Sequence, residues 1–275
     1  MLELEHGFRV FDIHTRLDPD EEAVAVHGRD ISPERLEREM HQAGVVRAAA
    51  SPGRTPAGEG YLRANNAVAR LSVDRPLLAF ARLNGPRSVS GGVADRVRNL
   101  TTRTESHHTS AADVEQYAYD DRYHGFTLDP AVDGLPTTNV LDTLSEVGDP
   151  VLVHGSNRFH PEAVAETLLG REFAVVLTSF GGHPLDRGLM RDSLALLENY
   201  DGLYLDTAFV AYRDVLETGL LEHPDRILFG SGAPAVHPNV GVMEMLTLNV
   251  PEDALRRVFT KNPSRVVPGF DSGSQ

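Results

Sequence analysis

Phe8-Arg9-Val10-Phe11-Asp12-Ile13-His14-Thr15-Arg16 and Arg226-Ile227-Leu228-Phe229-Gly230-Ser231-Gly232-Ala233-Pro234 decide the reading of this chain. Each opens with apolar, β-prone residues and closes in small or polar ones, as a buried strand with chemistry at its end does. Side chains alternate between the two faces of a strand, so Asp12, His14 and Arg16 are expected to point the same way.

Between these two stretches lie six more short runs of the same kind: Val45–Ala50, Leu77–Leu83, Gly125–Leu128, Pro150–His154, Phe173–Thr178 and Gly202–Asp206. With Phe8–Ile13 and Arg226–Gly230 they make eight. Several are apolar without strict alternation, which suits parallel strands covered on both faces. Segments of helical spacing separate most of them. Ser32-Pro33-Glu34-Arg35-Leu36 offers an N-cap with proline at the first helical position, Leu36 and Met40 share a face, and Gly44 can end the helix. His160-Pro161-Glu162 opens a similar helix carrying Val164 and Leu168, closed by Gly170. Strand followed by helix about eight times in 275 residues suits a (β/α)8 barrel of about 250 residues, with an open doubly wound sheet as the competitor. Residues 1–270 are expected to form this one domain, with 271–275 a frayed tail. The long polar segment from Asn84 to His124 is expected to hold one helix and a mobile excursion around Thr101–Ser110.

Composition narrows the function. Hydrophobic residues make up 41% of the chain, enough for a large core, and there is no cysteine, which removes disulfides, thiolate metal sites and thiol catalysis. Forty acidic residues face 26 basic ones for a net charge of −14, and Lys261 is the only lysine. An acidic, lysine-poor surface resembles that of proteins from salt-loving organisms, although arginine-rich coding from high genomic GC content gives the same pattern. Such a surface argues against nucleic acid, whose readers carry a basic footprint. No apolar run reaches the ~20 residues of a membrane span, and no basic-then-apolar leader is visible, so a cytoplasmic protein is expected. No nucleophile elbow, Walker loop or dinucleotide fingerprint appears.

Taken in order, the strand ends resemble those of the amidohydrolase superfamily, the branch of small metal-dependent hydrolases and decarboxylases. Asp12-Ile13-His14-Thr15-Arg16 is similar to its Asp-x-His-x-His opening, and Val151-Leu152-Val153-His154-Gly155 to its fifth strand. Ser179-Phe180-Gly181-Gly182 is similar to its His-x-Gly-Gly sixth strand end, and Gly230-Ser231-Gly232 to its Gly-Ser-Asp eighth. Ala79–Asn84, Gly125–Pro130, Leu203–Thr207 and Lys261–Arg265 resemble its third, fourth and seventh strands and closing segment. The resemblance spans nearly the whole chain and favours the barrel over the open sheet.

It also implies a divalent metal that activates water, and here the chain departs from the pattern. Arg16 stands where the second histidine belongs, Ser179 where the sixth-strand histidine belongs, and Gly232 where the aspartate belongs. A guanidinium has no lone pair to donate, and two imidazoles, His14 and His154, fall short of the three protein ligands usual for catalytic zinc. Thr127 excludes a carboxylated lysine on the fourth strand. The expectation is a barrel whose metal centre is largely dismantled, with no cofactor and zinc on His14 and His154 as the fallback.

Such a barrel is expected to act as a ligand-binding, regulatory or inactive homologue. The alternatives are a metal-independent lactone or amide hydrolase and a metal-dependent hydrolase with a rearranged site. Asp12 and His154 are the candidate bases, and Arg16, Arg82, Ser179, His183 and Asp206 the candidate substrate-binding residues. Arg16 has two readings: a fixed charge standing in for the ion, or an ion pair with Asp12 that closes the barrel mouth. Gly230-Ser231-Gly232 offers a short anion-binding nest. A small anionic molecule is the expected ligand, and a homo-oligomer is compatible with the sequence.

Overall fold

A computed structural model describes residues 5–17, 32–89 and 103–271. Eight parallel strands run in sequence order: β1 Val10–Leu17, β2 Val45–Pro52, β3 Leu77–Leu83, β4 Tyr123–Leu128, β5 Val151–Val153, β6 Val175–Leu177, β7 Leu203–Asp206 and β8 Ile227–Leu228. Backbone hydrogen bonds from Ile13 to Phe229 (3.0 Å), Gly232 to His14 (3.0 Å) and Arg16 to Ala233 (2.8 Å) join the last strand to the first. The molecule is therefore a single (β/α)8 barrel, as the alternation of elements indicates.

The helices follow from their local sequences. In α1 (Pro33–Gln42) the Ser32 hydroxyl accepts from the Arg35 amide, and Leu36 and Met40 are buried. Gly44 follows at φ +67°, a left-handed turn that lets the chain leave the helix for β2. α2 is Leu62–Ser72, and α3, Ala111–Ala118, is the helix expected after Asn84. The excursion around Thr101–Ser110 lies partly outside the described residues, and so does the tail beyond Asp271. α4 is Pro130–Asp133 and α5 Thr138–Val147. In α6 (Pro161–Thr167) the N-cap is the His160 ring, accepting from Ala163. α7 (Arg187–Leu196), α8 (Arg213–Glu222), α9 (Pro238–Leu246), α10 (Glu252–Arg256) and α11 (Asn262–Val266) complete the outer layer. No helix among the described residues is long and apolar enough to cross a membrane.

Two apolar cores divide the strand faces. The larger joins the helices to outward-facing residues such as Ala48, Ala50, Val151, Val153 and Leu205. The smaller fills the barrel with Phe11, Ile13, Ala49, Leu78, Phe80, Leu152, Val176 and Leu228, and is closed from below by Val266, Val267 and Phe270. One step further along the strands the inward positions turn polar: Arg82, Thr127, His154, Thr178 and Asp206.

β1 breaks the expected alternation. Asp12 pairs with Ala48 but Thr15 pairs with Ala50, so Ile13 and His14 together oppose Ala49 in a β-bulge. The extra residue lets Ile13 and His14 both face inward. Asp12, flanked by the inward Phe11 and Ile13, is turned the other way. The common face expected for Asp12, His14 and Arg16 is thus corrected: only His14 and Arg16 share it.

Candidate functional site

The centre of the polar layer is a buried pair. His14 Nδ1 lies 2.8 Å from Asp206 Oδ2, with the side chains 2% and 0% exposed. Oδ1 of Asp206 accepts from the amides of Ser179 (2.8 Å) and Ala208 (3.0 Å), so the carboxylate is saturated. It fixes the orientation of the His14 ring through Nδ1. The pair fits only because residue 230 is glycine: a Cβ there would stand 2.9 Å from His14 Cβ and 3.1 Å from Asp206 Cγ.

His154 packs edge-on against His14, with ring centroids 5.0 Å apart. Its Nδ1 is 3.4 Å from the Thr178 hydroxyl, and its buried Nε2 has no hydrogen-bond partner among the described residues. Burial first, then the charges of Arg16, His14 and Arg82, hold the His154 pKa well below the usual histidine value. It is a neutral imidazole with a free nitrogen.

Arg16 is half-buried, and its guanidinium has no hydrogen bond or ion pair among the described residues. Burial and the nearby Arg82 depress its pKa, while Asp129 and Asp133 offset them from a distance. Of the two readings of Arg16, the ion pair with Asp12 is not formed, because the bulge puts the two side chains on opposite faces. Asp12 Oδ1 instead accepts from the amides of His14 (3.1 Å) and Ser231 (3.0 Å), fastening β1 to the end of β8. Its Oδ2 is buried without a partner, and burial pushes its pKa up to about 6.

The other sequence candidates are more peripheral. Arg82 is 1% exposed and clamped: it donates to Asp133 Oδ2 at 2.7–2.8 Å, reaches Asp129 Oδ2 at 3.4 Å, and stacks 5.2 Å from the Tyr61 ring. Its charge contributes to the mouth, but its donors are engaged within the fold. Asp129, Asp133 and Tyr61 were not among the sequence candidates. Asp129, which ends the fourth strand in Leu128-Asp129-Pro130, carried the one readable signal. Ser179 supplies its amide to Asp206 from a left-handed turn at φ +54°. His183 lies at the rim, its ring 5.5 Å from that of Phe209. Partial burial, Arg16 and His14 lower its pKa. The amides of the Gly230-Ser231-Gly232 nest are taken by Thr207, Asp12 and His14 respectively, so no anion nest forms there.

Phe209 was also missed. Its backbone sits at φ +60°, rare for a bulky residue, and its ring lies 6.0 Å from that of His14. A Cβ built on Gly232 would stand 2.4 Å from Phe209 Cζ, so the ring fills the space beside the strand-8 position. His14 and His154 bring two imidazoles together, Ser179 is folded into a left-handed turn, and Gly232 abuts the Phe209 ring. Among the described residues no three histidine, aspartate or glutamate side chains converge to hold an ion.

No family model matches the chain, and no curated protein matches it in sequence. Solved structures do match. An uncharacterized TIM-barrel protein from Bordetella bronchiseptica is 17% identical, with a TM-score of 0.67 over 94% of this chain and 98% of its own. A 5-carboxyvanillate decarboxylase from Novosphingobium aromaticivorans, with bound manganese and a nitrobenzoic acid, is 11% identical, with a TM-score of 0.64 over 97% of this chain and 99% of its own. A probable 2-pyrone-4,6-dicarboxylic acid hydrolase from Acinetobacter baumannii, with citric acid bound, is 13% identical, with a TM-score of 0.59 over 94% and 99%. At these identities the likeness establishes the fold, which is the one the strand-end resemblance implies.

Proposed function

We propose that this chain is an amidohydrolase-type barrel that binds a small carboxylate- or phosphate-bearing molecule at its mouth without a resident metal. The observation that carries the reading is Arg16, whose guanidinium has no hydrogen bond or ion pair among the described residues and whose charge acts on His154 and His183, in a layer where Asp206 and Asp133 are already engaged. A guanidinium fork suits a carboxylate or phosphate better than a neutral carbonyl. That two solved relatives in fold hold a benzoic acid and citric acid supports the same ligand class. The role that follows is a binding or regulatory one.

One observation favours catalysis as a second reading. His154 is neutral and has a buried, unpartnered Nε2, as a general base acting on water requires. In that case Arg16 would hold the substrate carboxylate while His154 removes a proton from the water attacking a lactone or amide carbonyl. Asp12, turned away from the interior, does not take this part.

Calorimetric titration of wild type and Arg16→Ala with citrate, benzoate and inorganic phosphate, in the presence of a chelator, tests the proposal. A hydrogen bond to a charged group contributes about 1.5–3 kcal/mol, so Arg16→Ala should bind at least about tenfold more weakly. Equal binding by both proteins, or by neither, rejects it. Turnover of a lactone panel under the same chelated conditions, lost in His154→Gln, would select the catalytic reading.

A further inference from the structure

A cavity of about 630 Å³ opens beside the barrel mouth, between the loops after β6 to β8 and helix α9. It is large enough for a small organic molecule. Its walls are apolar, and much of that surface is open: Leu185 is 53% exposed, Val240 57% and Met243 44%. Three large apolar side chains held open on one concavity mark a place where something docks.

The polar groups along the wall are mostly engaged. The Thr207 hydroxyl bonds Gly230, the Thr247 hydroxyl bonds the Glu244 carbonyl, and the Ser231 hydroxyl accepts from Ala233. Glu244 is the exception. Its carboxylate is half-buried on α9 one turn from Val240, lines the cavity, and has no hydrogen bond or ion pair among the described residues. Burial alone raises its pKa, with no compensating charge nearby. The other ionisable group on the wall is His183, held towards its neutral form by partial burial and the charges of Arg16 and His14. The cavity is thus a negatively charged apolar cleft next to a positively charged mouth, and the Phe209 ring lines it while packing against His14.

We infer that this cleft is a binding site for a small cationic amphiphile, an ammonium or guanidinium on an apolar body, with the cation on Glu244. An anion would be repelled by the carboxylate. A neutral amphiphile would cover the apolar walls but leave a charge partly desolvated and unpaired, so it should bind less tightly. The inference does not rest on the proposed anion site, which has the opposite polarity.

The probes are hexylammonium, hexanol and hexanoate, titrated calorimetrically into the full chain at neutral pH. Hexylammonium should bind about tenfold or more tighter than hexanol, the margin of one charged hydrogen bond. Glu244→Gln should remove that margin and leave hexanol binding unchanged. Val240→Arg, at an exposed position, should block both while the melting temperature stays near wild type. Arg16→Ala should leave hexylammonium binding intact, which separates this site from the mouth. Equal affinity for hexylammonium and hexanol, an unaltered preference in Glu244→Gln, or no binding of either probe at millimolar concentration overturns the inference.

Discussion

Gly232→Ala tests whether the strand-8 position is closed to a side chain. The glycine sits at φ +72°, where an L-residue costs about 1–2 kcal/mol. The new Cβ would also lie 2.4 Å from Cζ and 2.6 Å from Cε2 of Phe209, well inside contact distance. Forcing an extra carbon against a packed ring adds about 1–3 kcal/mol, for a total near 2–5 kcal/mol. The two contributions separate in a double-mutant cycle. In a Phe209→Ala background the ring is gone and only the backbone cost remains. The cycle should therefore show a coupling energy of about 1–3 kcal/mol favouring the double variant over additivity. Urea denaturation of the four proteins, at a common m-value, gives the numbers. Effects that add to within about 0.5 kcal/mol would mean that Phe209 does not occupy the space, and the argument against a strand-8 carboxylate would lose its steric support.

Three further outcomes are expected. Asp12 has a native pKa of about 6 against an ordinary 3.8, so the native state holds the proton that the unfolded state releases, and its contribution to stability falls as pH rises from about 4 to 6. Asp12→Asn lacks this loss, and the stability of wild type relative to that variant should drop by about 2 kcal/mol between pH 4 and pH 7 in paired urea melts; a pH-independent difference refutes the shift. Asp206→Ala strands the His14 ring and the amides of Ser179 and Ala208, and should cost about 3–5 kcal/mol by the same measurement, whereas Asp206→Asn, which keeps acceptors, should cost less. With a net charge of −14, self-repulsion should be relieved by screening, so the melting temperature should climb towards molar potassium chloride; a flat salt series removes the halophile reading.

The barrel was legible because its signal is repeated: eight apolar runs, capped helices between them, and glycines such as Gly44 where the chain must turn. Leu77–Leu83 was bounded to the residue, and the short strands β5, β6 and β8 were found but drawn a residue or more too long. The bulge in β1 was not legible, since Asp-Ile-His-Thr-Arg reads as unbroken alternation and the extra residue is defined only by pairing with Ala49. The same one-residue slip made Asp12 look like a partner of Arg16. The positions of His14, His154 and Asp206 were legible because each closes or directly follows an apolar run. Their roles were not, since His14 and Asp206 are 192 positions apart and meet only when the barrel closes. Arg82 was read as a substrate contact, but its donors are engaged by Asp129 and Asp133, 47 and 51 positions away, a pairing no local pattern shows. Phe209 left no local trace: what matters is its backbone at positive φ and the missing side chain at Gly232.

The seam that joins β8 to β1 has a consequence for how the protein is made. The outer edge of β1 finds its hydrogen-bond acceptors and donors at Phe229, Gly232 and Ala233. About 200 residues separate Leu17 from Ile227, so at ~5–20 residues per second the ribosome delivers the partner roughly 10–40 s after the strand. Throughout that interval an apolar strand carries a row of unpaired N–H and C=O groups, a template for any neighbouring chain. A product that stops short of Arg226 never closes the edge. Such a fragment is destined for aggregates or proteolysis rather than for a smaller version of the barrel.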